Sequence, residues 1–265
     1  MPVPLFQVDA FASSFFTGNP AAVCLLDEPA EAGWMQAVAA EMNLSETAFA
    51  VPRSDGSWDL RWFTPAIEID LCGHATLATA HALWESGRAL AGGTLRFHTR
   101  SGELTAEQRE GWIEMDFPSV PPTEEWAPPD LIEALDVQPT HTATNGTDWL
   151  VQLRTEAEVR AVRPDIRRLA TIQCRGVIVT AEADHDTPAD IVSRFFAPSA
   201  GVDEDPVTGS AHCCLGPWWS ERLGRSELRG LQVSARGGEV RVRVLGDRIA
   251  LGGSAVTVAR GELLV

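Results

Sequence analysis

Hydrophobic and polar positions alternate through Leu5-Phe6-Gln7-Val8-Asp9-Ala10-Phe11, which predicts a strand with one buried face. A polar loop holding Gly18-Asn19-Pro20 follows, and the apolar run from Ala21 to Leu26 predicts a second strand. Over 30–42 the period lengthens to that of a helix, with Trp34, Val38 and Met42 along one face. Strands are expected near 47–51 and 58–63. Alternation returns in Ile67-Glu68-Ile69-Asp70-Leu71 and runs into Cys72-Gly73-His74. From there an alanine-rich helix is expected from Ala75 to Glu85, closed by Gly87. Three strand-like pieces cover 94–117.

The run 118–129 holds five prolines and reads as a linker, which divides the chain into 1–118 and 119–265. Beyond it the order repeats. Strands are expected near 140–153 and 176–181 with a short helix around 164–171 between them. A strand near 190–196 then leads to a helix from about 208 to 223, and short strands end the chain. Gly73-His74-Ala75-Thr76-Leu77-Ala78 has its counterpart in Gly209-Ser210-Ala211-His212-Cys213-Cys214. The reading is α+β: two related halves, each wrapping strands around a buried, glycine-led helix.

Composition narrows the function. With 265 residues the chain can bury a substantial core as one large domain or two small ones. It carries 21 basic and 37 acidic residues, a formal net charge of −16, and that field repels a nucleic-acid backbone. An anionic ligand must therefore be held by local dipoles. All 21 basic residues are arginine, so Schiff-base chemistry, pyridoxal phosphate and a Walker A loop are excluded. Tyrosine is absent as well, which leaves Asp, Glu, His and Cys as acids and bases. Met1-Pro2-Val3-Pro4 has no positive leader region, no apolar run is long enough to span a bilayer, and five cysteines without C-x-x-C fit a reducing compartment. A cytoplasmic protein free of membrane and nucleic acid is the expectation.

The chemistry concentrates at the two glycine-led helix starts. In Glu204-Asp205-Pro206-Val207-Thr208-Gly209-Ser210-Ala211-His212, Pro206 halts regular structure and Thr208 is placed as the N-cap. Gly209 lets an anion approach the first amides of the helix, and Asp205 stands beside them to handle protons. His74, in the first turn of the other helix, feels a positive potential that favours its neutral, hydrogen-donating form. Glu46 lies between a helix and an apolar strand, where its position alone reads as a solvated acid at a strand start. Moving a proton on and off carbon needs a carboxyl group in a dry site, and Ser45 and Thr47 are placed to orient it. Metal sites are not expected. His212, Cys213 and Cys214 splay about 100° apart on a helix, and His74 and His81 stand roughly 10 Å apart along one. Ser210 lacks a nucleophile elbow.

Four segments together resemble the PhzF-like proteins, the phenazine-biosynthesis isomerases and their relatives. They are Thr17-Gly18-Asn19-Pro20-Ala21-Ala22-Val23, Asn43-Leu44-Ser45-Glu46-Thr47, Asp70-Leu71-Cys72-Gly73-His74-Ala75-Thr76 and Glu204 to Ala211. The resemblance implies a diaminopimelate-epimerase-like fold. Its two pseudo-symmetric domains are each a curled, mostly antiparallel sheet or half-barrel around a central helix, and residues after about 254 return to the first. It implies an active site in the cleft between the halves, a homodimer, and no metal or organic cofactor. It assigns Glu46 as the catalytic acid/base and His74 and Asp205 as its partners. Ser45, Gly73, Gly209 and Ser210 are assigned to a small carboxylic-acid substrate such as 2,3-dihydro-3-hydroxyanthranilate.

Two other readings carry tests of their own. An epimerase would use Cys72 opposite Asp205, although one thiol cannot supply the symmetric two-cysteine mechanism of the related amino-acid epimerases. A non-catalytic relative would bind a small acid without exchanging its hydrogens.

Overall fold

The alternation of the first residues becomes the strand Val3–Ala10, paired antiparallel with Asn19–Leu25 on one side and with the late strand Ala255–Leu263 on the other. The computed structural model describes residues 2–264. It divides into two compact units, Met1–Phe117 with Gly252–Val265, and Pro118–Leu251.

In the first unit, helix α1 (Ala32–Met42) crosses from Asn19–Leu25 to the parallel strand Glu46–Pro52. The latter pairs antiparallel with Trp58–Phe63. Helix α2 (Gly73–Glu85) then crosses to Leu95–Thr99, which runs parallel to Trp58–Phe63 and turns into Gly102–Arg109. Ten of the 13 residues of α2 are buried, which makes it a central helix rather than an amphipathic one on the surface. Its alanines allow the close approach. The strand expected over 67–71 shrinks to Glu68–Ile69, with Ile67 and Leu71 exposed.

The proline-rich run does not hang free. Ser119 N donates to Asp247 O at 2.9 Å, and Thr123–Glu124 pairs with the strand His141–Thr144. Val120 N donates to Cys213 O at 3.2 Å. Pro217, four residues after Cys213 in a helix, has no N–H to give that carbonyl, so the linker supplies the missing donor.

The second unit adds two helices that the hydrophobic period did not announce, α3 (Pro129–Leu135) and α4 (Glu156–Ala161). Helix α5 (Ile166–Leu169) is the short one expected, and α6 (Gly209–Leu223) is the glycine-led one. The strand Asp148–Gln152 runs parallel to Gly176–Glu182 after the α4–α5 crossover. Gly176–Glu182 pairs antiparallel with Ile191–Ala197, and α6 crosses from there to the parallel strand Glu227–Gln232.

Pairing therefore follows one order in both units: antiparallel, parallel over a helix, antiparallel, parallel over the central helix, antiparallel. A second repeat fixes the approach to each central helix. Arg61 grips Glu68 with Nε–Oε1 2.7 Å and Nη2–Oε2 2.8 Å, and its guanidinium lies 5.2 Å from the Phe63 ring centre. Arg194 grips Glu204 at 2.7 and 2.9 Å and lies 4.8 Å from the Phe196 ring centre. Each clasp pins the short strand that delivers the chain to a glycine-led helix. Among the described residues no helix is long and apolar enough to cross a membrane.

Candidate active site

Helix α1 ends at Asn43, whose left-handed backbone (φ 50°) returns its N–H to Ala39 O. Glu46 opens the next strand beside Ala21, with Ser45 half-buried before it. Cys72 is the N-cap of α2, and its side chain caps nothing. The result is a tight cluster. His74 Nε2 stands 3.0 Å from Glu46 Oε2, with the two side chains 7% and 16% exposed. Both atoms are buried, and neither has another partner. On the far side of the ring, Nδ1 lies 3.2 Å from Asn19 Nδ2 and 3.6 Å from Cys72 Sγ. Thr47 does not orient Glu46 as expected, because its Oγ1 is buried without a partner.

Burial presses the His74 ring toward its neutral form, but the acidic groups of Cys72 and Glu46 outweigh it when both are ionised, and the net direction is well above 6.5. The helix-start argument for a neutral ring left these neighbours out. Burial, reinforced by Glu46, pushes the Cys72 thiol up, so near neutral pH it is an uncharged S–H. Its share of the upward pull is then absent, and Glu46 alone opposes burial, the largest single influence on the ring. The Asn19 amide, which brings only hydrogens to Nδ1, favours the neutral ring.

Glu46, Cys72 and His74 are also the one set among the described residues whose donor atoms converge closely enough for a metal ion. The thiol and the carboxylate flank opposite ring nitrogens. One ion can take only one of those nitrogens, so the arrangement suits passage of a proton along the ring better than a three-ligand cage.

In the second unit, Thr208 occupies the N-cap position of α6, but its hydroxyl donates to Asp205 Oδ2 and caps nothing. Gln232 ties the turn together. Its Nε2 donates to Asp205 O (2.7 Å) and Thr208 Oγ1 (3.2 Å), and its Oε1 accepts from Thr208 N (2.9 Å). Asp205 and Ser210 are half-buried, and Gly209 is buried. Arg175 adds a charge that the sequence reading did not place. Asp148, its side chain fully buried, holds the guanidinium through both oxygens, with Nε–Oδ1 2.8 Å. Arg175 Nη2 reaches Ser210 Oγ at 3.1 Å, and the cation lies within electrostatic range of Asp205. A Cβ on Gly176 would sit 2.2 Å from the Phe195 ring that Arg175 faces, so only glycine fits there.

Of the predicted site residues, Glu46, Gly73 and His74 thus gather in the first unit with Ser45 next in the chain, and Asp205, Gly209 and Ser210 gather in the second. Sequence reasoning passed over Asn19, Arg175 and Gln232 as participants, and over both arginine clasps. The clasps had a signal: Arg61-Trp62-Phe63-Thr64-Pro65 and Arg194-Phe195-Phe196-Ala197-Pro198 are one pattern written twice. His212, in contrast, is structural. Its Nδ1 meets Thr208 O at 2.8 Å, and burial lowers its pKa to about 4. Burial likewise lifts Cys213 and Cys214 to about 12, which makes them inert thiols.

The chain matches known proteins over nearly its whole length. A family model described as phenazine biosynthesis-like protein matches residues 8–261. An uncharacterised isomerase from Halalkalibacterium halodurans is 50% identical over 100% of both chains. The crystal structure of a PhzF-family phenazine biosynthesis protein from Enterococcus faecalis superimposes with a TM-score of 0.95 at 42% identity, covering 100% of both. A predicted epimerase from Pseudomonas aeruginosa, 23% identical over 99% of both chains, shares the fold with a TM-score of 0.72. The α+β architecture is therefore that of the PhzF and epimerase-like group, isomerase is the class of activity its relatives support, and the chain belongs to the PhzC-PhzF family of phenazine biosynthesis-like proteins.

Proposed function

We propose that this protein is a cofactor-independent isomerase that moves protons on carbon in a small, cyclic carboxylic acid such as 2,3-dihydro-3-hydroxyanthranilate. The observation that carries the proposal is the close pair of Glu46 Oε2 and His74 Nε2, both buried and both without another partner. Buried polar atoms left in that state are costly in a resting protein and useful toward a ligand. In the reaction a C–H bond breaks and its electron pair enters the conjugated system. Glu46 holds the proton and returns it to another carbon of the same system, so nothing is oxidised or reduced. In the second unit, the start of α6 offers an anion its first amides and Ser210, with the charge of Arg175 and the carboxylate of Asp205 close by.

The test is incubation in D2O with a panel of cyclic and amino carboxylic acids, read by mass spectrometry, with Glu46→Gln as control. Deuterium entering a ring carbon in wild type but not in the variant supports the assignment. Exchange that survives Glu46→Gln and vanishes in Cys72→Ala would transfer the role to the thiol. That epimerase reading has one point in its favour, the 3.6 Å contact of Cys72 Sγ with His74 Nδ1.

A further inference from the structure

His74 can serve Glu46 only if the ring hydrogen sits on the nitrogen that faces it, and an isolated imidazole shares its hydrogen between both nitrogens. Something must choose. Two groups stand around Nδ1: the amide nitrogen of Asn19 at 3.2 Å, which brings only hydrogens, and the uncharged thiol of Cys72 at 3.6 Å, which can give its hydrogen or accept one on sulfur. The Asn19 contact is the shorter and is fully buried.

We propose that Asn19 is a positioning residue for the proton-transfer step: its side-chain amide donates to His74 Nδ1 and thereby fixes the ring hydrogen on Nε2, toward Glu46. The chain invests in delivering this amide. Gly18 takes a left-handed turn (φ 68°) immediately before it, and a Cβ there would strike Ala10 O at 2.2 Å. Asn19 then enters the ladder opposite Ala10, where the paired strands lock its backbone. The side chain is consequently aimed at α2 across 55 residues of sequence. Cys72 acts as a second, longer donor to the same nitrogen, which gives the thiol a part that needs no thiolate. The Nε2 hydrogen then orients the Glu46 carboxylate, and Nδ1, already engaged, cannot compete for it.

This inference rests on the proposed role of Glu46, yet its first readout needs no substrate. In protein labelled with 15N-histidine, the two ring nitrogens of His74 at pH 7.5 should differ as in a neutral ring, with Nε2 protonated and Nδ1 bare. Asn19→Asp places an acceptor at Nδ1, so both nitrogens should become protonated and alike. Asn19→Ala should leave a mixture of the two neutral forms. Deuterium incorporation into 2,3-dihydro-3-hydroxyanthranilate is the second readout. In both variants kcat should fall about 10- to 100-fold, with KM changed less than about threefold. An imidazolium in wild type at pH 7.5, or a ring whose nitrogens are unchanged by both substitutions, overturns the proposal. If the ring responds as described while this acid shows no exchange in wild type, the positioning role stands and the choice of substrate fails.

Discussion

Arg194 holds Glu204 through two parallel hydrogen bonds, and Glu204 is the residue before Asp205. The clasp therefore sets where the second unit presents its candidate carboxylate. Only 10% of the Arg194 side chain and 24% of Glu204 are exposed, so removing the cation strands a largely buried charge. Arg194→Met should cost about 3 kcal/mol in urea unfolding. The matching Arg61→Met should cost nearer 1 kcal/mol, because 35% of Arg61 is exposed and Arg100 stands 3.1 Å from the same glutamate. Equal costs would contradict this account.

Glu46→Gln keeps the shape of the side chain and loses the ability to take a proton. Deuterium exchange should fall at least about 100-fold while the unfolding midpoint stays within error of wild type. Near-normal exchange would remove Glu46 from the centre of the chemistry.

Cys72→Ala separates the isomerase reading from the epimerase one. A thiol whose ionisation burial opposes is a poor base, and its contact with His74 Nδ1 is the longer of two. Exchange should drop less than about 10-fold, as befits loss of a secondary donor. Abolition would reassign the reaction.

Arg175 is expected to act on binding. Arg175→Met combined with Asp148→Asn avoids leaving the buried Asp148 carboxylate alone. In this double variant KM for a carboxylate substrate should rise about 10-fold or more with kcat little altered, and the salt dependence of KM should weaken. A loss confined to kcat would argue against an anion-binding role.

His212 gives the protein a defined acid sensitivity. Its folded pKa of about 4 lies below the ordinary histidine value of 6.5, so between these values the unfolded chain binds a proton that the native one refuses. Its stabilising effect is complete above about pH 6.5, declines as pH falls toward 4, and changes no further below. The loss amounts to roughly 3 kcal/mol. Glu68, held below its ordinary value by Arg61, adds its own loss at lower pH, so the informative quantity is the difference between wild type and a variant. Urea midpoints at pH 7.5 and 4.5 should converge more closely in His212→Asn, whose amide can still donate to Thr208 O.

Both halves could be read from the chain because their central helices begin alike, at Gly73 and Gly209, and because alternation marks the strands around them. Helix α4 escaped although Thr155 and Glu158 form a cap signature; Thr155 Oγ1 accepts from Glu158 N at 3.2 Å, but six residues are too few to show a period. Helix α3 opens on prolines that read as a continuation of the linker. At the site, residue type and local context singled out His74 and Asp205 as candidates, and the family resemblance added Glu46. Asn19 and Arg175 act through contacts spanning 55 and 27 residues, and no local pattern encodes which side chain a folded ladder will bring opposite another.

The matched registers also place unlike residues at like points. Glu46 opens its strand opposite Ala21, and Gly176 opens the corresponding strand opposite Asp148, with Arg175 one residue earlier. From equivalent corners, one half sends an acid to the mouth of its helix and the other sends a base's conjugate, a permanent cation. The two clasps hold the short strands ahead of the central helices and use neither Glu46 nor Arg175, so exchanging what a corner carries leaves them intact. A duplicated frame of this kind lets one half carry an acid and the other a cation without either change unmaking the other.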